Sequence, residues 1–330
     1  MKQHVILGVV VLLMLILLPL VSLVFGHAVP SQQETTPHTQ QQENPPQPEP
    51  EPALSNTMVP VMRSATDEVE QLALLEYLVG VVAAEMPARF HTEALQAQAV
   101  AAHTFLRYRL EVAGAAHLSD SPDRDQGYLC PAQRRERWGE RFELYESRIE
   151  QAVRAVYGLT LKYNNQPIFA AYHAMSSGTT ESSSTYWGGR ELTFLQSVES
   201  PGCRLAPNFN VTTSFTAEQM RAALGSLSGV DLSGNPASWF GEPSRSEAGT
   251  VTRITVGGAA FTGRQIRQAL ALRSSSFTIA FLDKDASFEV TTTGFGHGVG
   301  MSQTGADFMA RQGSTYREIL QHFYQGAEIV

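Results

Sequence analysis

The sequence predicts an α+β fold in which a helical N-terminal lobe packs on a mixed, mostly hairpin-linked β lobe. Up to Gly158 the apolar residues of the globular part recur at helical spacing. Beyond Gly158 the period changes to two, and short alternating runs flank turn pairs such as Asn164-Asn165 and Gly257-Gly258. Because the helices come first and the hairpins follow, this order of elements favours an α+β fold over a doubly wound α/β fold, in which strands and helices alternate.

A transmembrane anchor is predicted at residues 1–27. The run from Val5 to Phe25 is apolar and uncharged, and as a helix it would span about 31 Å, close to the hydrocarbon core of a bilayer. Lys2 precedes the run and no Lys or Arg occurs from His27 to Met62, so the positive-inside rule places the remaining chain outside the cytoplasm. A cleaved signal peptide remains the alternative, because Gly26-His27-Ala28 fits a small-x-small cleavage site.

A disordered linker is predicted at residues 28–62. Ser31 to Pro52 consists mainly of Pro, Gln and Glu, so this stretch buries too little apolar surface to offset the entropy of ordering. The globular domain, predicted at residues 63–330, would then be held away from the membrane by a semi-extended tether.

Charge and cysteine content exclude some classes of partner and site. The net charge of -8 and the pI near 5.6 argue against a nucleic-acid partner. Cys130 and Cys203 could form at most one disulfide, and neither has the spacing of a zinc ligand pair. We therefore expect no metal and no cofactor.

The helices of the first lobe are predicted from Glu68 to Ala84, from Glu93 to about Val112 and from about Arg141 to Tyr157. Pro87 ends the first helix, because the residue before a proline is pushed out of the helical region, and Thr92 is predicted to cap the second. The second half is predicted to contain, in order, a hairpin across Asn164-Asn165, a helix from Phe215 to Leu227, a hairpin across Gly257-Gly258, a helix from Thr262 to about Leu272, two strands between Phe277 and Gly294, and a helix from Tyr316 to Tyr324.

Glu85 is the best candidate for a catalytic group. It lies at a predicted helix C-terminus, where the helix dipole disfavours negative charge. This effect of the dipole raises the pKa of the carboxyl, and partial burial would raise it further. A carboxyl that stays protonated near neutral pH can act as a general acid. Small residues leave open space for a substrate on both sides of it: Ala83, Ala84, Ala88 and Ala94.

Two further motifs could carry chemistry. The segment from Gly294 to Phe308 has several glycines close to His297. This pattern is similar to a nucleotide-binding loop, but such a loop would need a βαβ unit, which the surrounding sequence lacks. The stretch from Tyr172 to Glu181 contains His173 and several hydroxyls. A serine nucleophile is one interpretation, although no GxSxG elbow is present, and a glycan-binding loop fits as well.

Taken together and in this order, the motifs resemble the stage II sporulation protein D family, whose domain is shared with amidase enhancers. The resemblance covers the chain from about Leu72 to Ile329. The matching pieces are Glu85-Met86-Pro87, the EALQAQAVAA run from Glu93, His173, SSGTTE from Ser176 to Glu181, Trp187-Gly188-Gly189, Ser197 to Pro201, Leu272-Arg273-Ser274, and GHGVGMSQTGA from Gly296 to Ala306.

The resemblance implies a membrane-anchored lytic transglycosylase that acts on peptidoglycan during engulfment of the forespore. Glu85 would be its catalytic acid, cleaving peptide-free glycan strands between N-acetylmuramic acid and N-acetylglucosamine to leave 1,6-anhydro ends. Substrate contacts are expected from Gln98, His103, His173, Ser176, Ser177, Thr180, Glu181, His297 and Gln303. The alternative is a non-catalytic glycan-binding protein that enhances or positions a cell-wall amidase.

The resemblance also implies partners and a location. Glycan without stem peptides requires an amidase, so the sporulation amidase, stage II sporulation protein P, is an expected partner. Membrane protein M of the engulfment complex is another. We expect the domain to face the septal cell wall from the engulfing mother-cell membrane.

The sequence departs from the family pattern in two places. His103 stands where the family has an arginine, which could clamp the lactyl carboxylate of muramic acid. If a protonated His103 replaced that arginine, activity would fall more steeply above neutral pH. Some relatives carry a Cys/His cluster in the loop between His117 and Cys130, but here the intervening residues include neither type, so no structural metal is expected.

Overall fold

The computed structural model describes residues 57–330. The predicted anchor and most of the predicted linker lie outside these residues. Within them, no helix is both long and apolar enough to cross a membrane. The described part is a mixture of helices and small sheets built around two hydrophobic cores, which confirms the predicted α+β class.

The folded part begins with a strand that the sequence did not predict. β1 (Met58–Arg63) pairs antiparallel with β2 (Glu68–Ala73) and parallel with β3 (Leu118–Ser119). Val59 and Val61 of β1 are fully buried in the larger core, so the folded part starts ahead of the boundary predicted at Arg63. The helix predicted from Glu68 is also wrong in its first six residues, which form β2. Backbone pairing with β1 outweighs their helical spacing.

Four helices form the centre of the first lobe. They are α1 (Leu74–Glu85), α2 (Thr92–Arg107), α3 (Pro131–Trp138) and α4 (Phe142–Ala155). The alanines of α2 are buried, and their small side chains let neighbouring helices approach closely. A π-helical turn (Tyr108–Val112) continues α2 as predicted, whereas α3 was missed.

The chain next forms several short elements and then crosses into the second lobe. The short elements are β4 (Leu161–Tyr163), β5 (Gln166–Pro167), β6 (Tyr172–His173) and α5 (Ser183–Trp187). The second lobe contains β7 (Asn210–Thr216), α6 (Ala217–Leu224), β8 (Ser244–Arg245), β9 (Val251–Val256), β10 (Ala259–Phe261), α7 (Gly263–Ala269), β11 (Phe277–Leu282) and β12 (Ser287–Thr293). Its sheets have the strand orders β10-β9-β8 and β11-β12-β7.

The local signals of the second half are confirmed. Asn164 and Asn165 adopt positive φ angles of 50° and 61° in the β4–β5 turn, and Gly257 and Gly258 do so between β9 and β10. Thr262 caps α7 through its hydroxyl, as predicted. The helix predicted from Phe215 begins two residues later, because Phe215 and Thr216 end β7.

After Gly294 the chain returns to the first lobe, which is therefore assembled from both ends of the domain. β13 (Met301–Ser302) pairs parallel with β6, and β14 (Glu328–Ile329) pairs antiparallel with β4. Between them lie α8 (Gln303–Arg311), which was not predicted, and α9 (Tyr316–Phe323), which was. The helical lobe is thus not purely N-terminal, and this return brings the glycine-rich motif beside α1 and α2.

Candidate active site

Glu85 is the last residue of α1. Met86 leaves the helix in an extended conformation (φ −118°, ψ 144°), as expected for a residue that precedes proline. Arg137 of α3 donates to the carbonyl oxygen of Ala83 at 3.2 Å and so supports the end of the helix. The turn that the sequence indicated therefore holds the Glu85 carboxyl at a fixed position.

The Glu85 carboxyl is half-buried and has two donors beside it. The backbone N–H of Gly127 donates to Glu85 Oε1 at 2.7 Å, and the side chain of Gln303 also hydrogen-bonds the carboxyl. Burial raises the pKa of Glu85 above its ordinary value of 4.5, and the two hydrogen bonds oppose this shift without cancelling it. The predicted direction of the pKa shift is confirmed, with burial as its main cause.

A cavity of about 420 Å³ adjoins Glu85. Its walls combine aromatic rings with charged groups, a composition suited to sugar rings, which stack on aromatic faces and hydrogen-bond at their edges. The aromatic lining residues are Phe105, Phe169, Tyr172 and Trp187, and the charged ones besides Glu85 are Arg109, Asp123, Arg124 and Asp125.

The other carboxylates of this cavity differ from Glu85 in their surroundings. Asp125 has a side chain only 5% exposed and forms an ion pair with Arg109 at 2.6 Å. Its second oxygen accepts the N–H of Ser119 at 2.8 Å, so both oxygens are engaged. Asp123 lies at the exposed rim. Glu85, by contrast, forms no ion pair within the described range, and burial raises its pKa.

A second cavity, of about 490 Å³, begins at Pro87 and is lined by apolar side chains such as Phe90 and Phe308. Its carboxylate, Asp307, is held by Arg311 at 2.8 Å and by the N–H of His91. We assign the chemistry to the cavity of about 420 Å³, because Glu85, a carboxyl with a raised pKa and no ion pair, lines it.

A network of amides and phenols lies behind Glu85. Tyr172 donates to Gln126 Oε1 at 2.8 Å, and Gln126 Nε2 donates to the Tyr77 hydroxyl at 2.9 Å. Gln303 Nε2 donates to Gln98 Oε1 at 3.3 Å. The structure thus brings the predicted residues Gln98 and Gln303 together and sets Gln303 against Glu85, but both amides are buried. Gln303, supported by Gln98, is placed to orient the Glu85 carboxyl from behind.

The two predicted histidines are neighbours in this region, with ring centroids 5.6 Å apart. His297 lines the cavity, and its ring centroid lies 5.2 Å from that of Trp187. Burial lowers the pKa of His297 to about 3 and that of His173 to about 4. His297 Nδ1 accepts the N–H of Val299, and His173 Nδ1 donates to the Val299 carbonyl. Both rings are neutral at neutral pH and serve as positioned polar walls.

The hydroxyls of the loop from Ser176 to Glu181 are occupied by structural hydrogen bonds. Ser177 Oγ donates to the carbonyl of Ala248 at 2.6 Å, and Thr180 Oγ1 accepts the N–H of Val198 at 2.9 Å. Ser176 Oγ approaches Cys203 Sγ at 3.5 Å. None of these hydroxyls hydrogen-bonds a histidine within residues 57–330, so the serine-nucleophile interpretation has no geometric support.

Glu181 belongs to the same loop but joins the two lobes. Its side chain is buried, and it accepts hydrogen bonds from the N–H of Ser182 and from the hydroxyl of Ser246. Ser246 and the Ala248 carbonyl both belong to the second lobe. The predicted glycan-binding loop therefore contributes to the contact between the lobes, and its binding of glycan stays a prediction.

His103 is buried and is not among the residues that line the cavity. Its imidazole is 4% exposed, and Nδ1 is 3.0 Å from the Leu159 carbonyl. Burial lowers the pKa of His103 to about 4, so it carries no charge at neutral pH. A buried, neutral imidazole gives no support to the predicted clamp on a carboxylate, and the predicted dependence of activity on pH stays a prediction.

Helical spacing could have identified the correct face of α2. Gln98 and Phe105 of α2 and Arg109 of the following π-helical turn recur at intervals of seven and four residues, which predicts that they share one side of a continuous helix, whereas His103 is rotated away from it. Phe105 and Arg109 both line the cavity. The positions of Gly127 and Asp125, by contrast, depend on a loop whose path has no periodic signal.

The cysteines and possible metal ligands add no further site. Cys130 and Cys203 are both free thiols. No group of three or more His, Cys, Asp or Glu side chains in the described range is arranged to hold a metal ion.

Comparison with known proteins places this site in a family. The family model described as Stage II sporulation protein matches residues 62–163, the part that contains Glu85 and Gly127. Stage II sporulation protein D of Bacillus subtilis (strain 168) is 40% identical over 282 residues, which cover 83% of this chain and 79% of the relative. The protein of the same name from Bacillus amyloliquefaciens is 38% identical over 288 residues, covering 84% and 81%.

A more distant relative is named Amidase enhancer and also comes from Bacillus subtilis (strain 168). It is 23% identical over 308 residues, which cover 76% of this chain and 40% of the relative. The extent and identity of the first two matches decide the assignment: the chain belongs to the stage II sporulation protein D family.

Proposed function

We propose that the chain is a peptidoglycan lytic transglycosylase with Glu85 as its catalytic acid. One observation carries the proposal: a carboxyl with a raised pKa, fixed by the Gly127 N–H, adjoins a cavity of about 420 Å³ with aromatic walls. Membership of a sporulation family agrees with a role in remodelling the cell wall.

A single carboxyl is sufficient for this reaction. The protonated Glu85 gives its proton to the oxygen between N-acetylmuramic acid and N-acetylglucosamine as the bond to the anomeric carbon breaks. The resulting carboxylate then takes the proton of the muramoyl C6 hydroxyl, whose oxygen bonds to the anomeric carbon. The products are a 1,6-anhydro end and a free 4-hydroxyl, no water is consumed, and Glu85 regains its proton.

The surroundings of Glu85 suit both halves of this cycle. Burial stabilises the acid before the first proton transfer, and the Gly127 N–H stabilises the carboxylate formed by it. Hydrolytic glycosidases use a second acid as base or nucleophile, but Asp125 is already bound by Arg109 and Ser119. The arrangement therefore favours intramolecular attack by the C6 hydroxyl over attack by water.

We place this activity at the outer face of a membrane during engulfment. The apolar segment from Val5 to Phe25 would anchor the chain, and the Pro-, Gln- and Glu-rich segment would let the domain reach the septal wall. The sporulation amidase and membrane protein M are the proposed partners. The amidase would supply peptide-free strands.

Incubation of the full-length chain with peptide-free glycan strands tests the proposal. We expect mass spectrometry to detect anhydro-ended fragments with the wild type and none with Glu85→Gln, which keeps the size of the side chain but removes its acid. Strands that stay intact while both proteins co-sediment with them would contradict catalysis. That outcome would support the glycan-binding role suggested by the relative named Amidase enhancer.

A further inference from the structure

Two arginines line the Glu85 cavity without a part in the proposed proton transfers. Arg124 is exposed and forms no ion pair with any acid in the described residues. Arg109 contacts Asp125 through Nε, and none of the hydrogen bonds within residues 57–330 involves the two terminal nitrogens of its guanidinium. Both cations therefore have binding capacity left.

The arginines are held at a defined place relative to Glu85. Arg124 precedes Gly127 by three residues, so their Cα atoms are at most about 11 Å apart. Asp125 is fixed between them by Arg109 and Ser119, and Leu129, just after the loop, donates its N–H to the carbonyl of Gly80 at 3.2 Å. One loop thus carries both the donor to the catalytic carboxyl and a free cation at the cavity wall.

The charges of the cavity indicate a ligand with one negative group rather than a polyanion. The positive charges of its two arginines are balanced by the negative charges of Asp123 and Asp125. The cavity therefore has no net positive charge that would attract a chain of phosphates. A guanidinium with free N–H groups binds a single carboxylate well, because the two planar groups form paired hydrogen bonds. The ligand group that fits is a carboxylate carried on a largely neutral sugar.

Muramic acid supplies such a group on the sugar whose glycosidic bond is cleaved. Its 3-O-lactyl carboxyl is an uncharged amide when a stem peptide is attached and a carboxylate when the peptide has been removed. We propose that Arg124, with the free edge of Arg109, forms a carboxylate-binding subsite for the lactyl group of peptide-free muramic acid. This inference rests on the proposed function and gives the substrate preference a chemical basis in the two arginines.

The test compares two forms of the same glycan strands. One form keeps its free lactyl carboxylates, and in the other they have been converted to methylamides. Binding is measured with the full-length Glu85→Gln protein, and kcat/KM is measured with proteins that retain Glu85. The wild type should prefer the carboxylate form by about tenfold or more, the usual effect of a hydrogen bond to a charged group.

Variants assign the preference to residues. Arg124→Gln should bring the ratio of the kcat/KM values for the carboxylate and methylamide strands close to one. Arg124→Lys should keep part of the preference, because a lysine still supplies a point charge. Arg109→Lys provides a second variant that retains a cation for Asp125. The matched control is Arg253→Gln, which removes an exposed arginine of the second lobe and should leave the ratio unchanged.

The outcomes separate this inference from the proposed activity. Equal binding and cleavage of the two strand forms by the wild type would overturn the subsite while leaving the transglycosylase intact. A preference that survives in both Arg124→Gln and Arg109→Lys would also overturn it. Preferential binding of the carboxylate form without any cleavage would instead support the subsite and contradict the proposed activity.

Discussion

The backbone N–H of Gly127 donates to Oε1 of Glu85 at 2.7 Å, joining positions 42 residues apart in the sequence. This bond is the direct link between the end of α1 and the loop that forms one wall of the cavity. It favours the ionised carboxyl, whereas burial favours the protonated one. Both influences suit the proposed mechanism, in which Glu85 acts first as an acid and then as a base.

Gly127→Ala should impair catalysis more than stability. A Cβ at this position would lie 3.1 Å from Glu85 Oε1 and 3.3 Å from the Cβ of Ala84, so the carboxyl would have to shift. We expect kcat to fall by about tenfold to hundredfold, since small displacements of a catalytic group have effects of this size. Gly234→Ala is the control, because nothing lies within 4 Å of its added Cβ. Equal kcat values for the two variants would contradict this role of Gly127.

Glu85 should reduce stability as the pH rises. The folded-state pKa of Glu85 lies above its ordinary value of 4.5, so the folded protein binds the proton more tightly than the unfolded chain does. The destabilisation of the folded state by ionised Glu85 is absent below about pH 4.5 and grows as the pH rises through the folded-state pKa. Glu85→Gln should therefore melt at a higher temperature than the wild type at pH 8 and at a similar temperature at pH 4. A lower Tm of the variant at pH 8 would contradict this.

Buried histidines should make the protein sensitive to mild acid. The pKa of His103 falls from 6.5 to about 4 on folding, so its stabilising contribution is complete above about pH 6.5 and is lost as the pH falls towards 4. This difference between the unfolded-state and folded-state pKa of His103 corresponds to about 3 kcal/mol of unfolding free energy. In urea titrations, the loss of stability between pH 7 and pH 4 should be smaller by about that amount in His103→Gln. Equal losses in both proteins would show that His103 is not buried as described.

Arg134 should be a major contributor to the stability of the first lobe. Its side chain is 1% exposed and forms ion pairs with Glu76 at 2.9 Å and with Glu146 at 2.7 Å, while it also donates to the Leu129 carbonyl. Arg134→Met should cost about 3 kcal/mol, because two carboxylates lose their buried partner.

The matched control for Arg134 is its neighbour. Arg135 pairs with Glu143 at 3.6 Å, but both side chains are mostly exposed. Arg135→Met should therefore change the unfolding free energy by less than about 1 kcal/mol. Similar costs for the two variants in chemical denaturation would contradict the central role of the buried arginine.

Features that depend on neighbouring residues were accessible to sequence reasoning. Pro87 ends α1 next to Glu85, and paired asparagines or glycines form the turns of two hairpins. These signals concern the conformation of a few residues, and the structure preserves them. The direction of the pKa shift at Glu85 could be predicted for the same reason, because its position at a helix end and its apolar neighbours already indicated partial burial.

Features that depend on distant residues were not accessible. The parallel pairing of Met301–Ser302 with Tyr172–His173 brings Gln303 to Glu85, and no local pattern specifies it. Burial of His103 follows from which face of α2 meets the strand at Leu161, not from its place in a motif. The contacts of Ser177 and Glu181 with the second lobe likewise depend on residues far away in the sequence.

Cleavage of peptide-free glycan strands in heavy-oxygen water tests the central claim most directly. Attack by the muramoyl C6 hydroxyl consumes no water, so we predict anhydro ends that are one water lighter than hydrolytic ends and carry no heavy oxygen. Glu85→Gln should produce neither kind of end. Reducing ends labelled with heavy oxygen would contradict the account, because they would show that a water molecule, activated by a second group, performs the displacement.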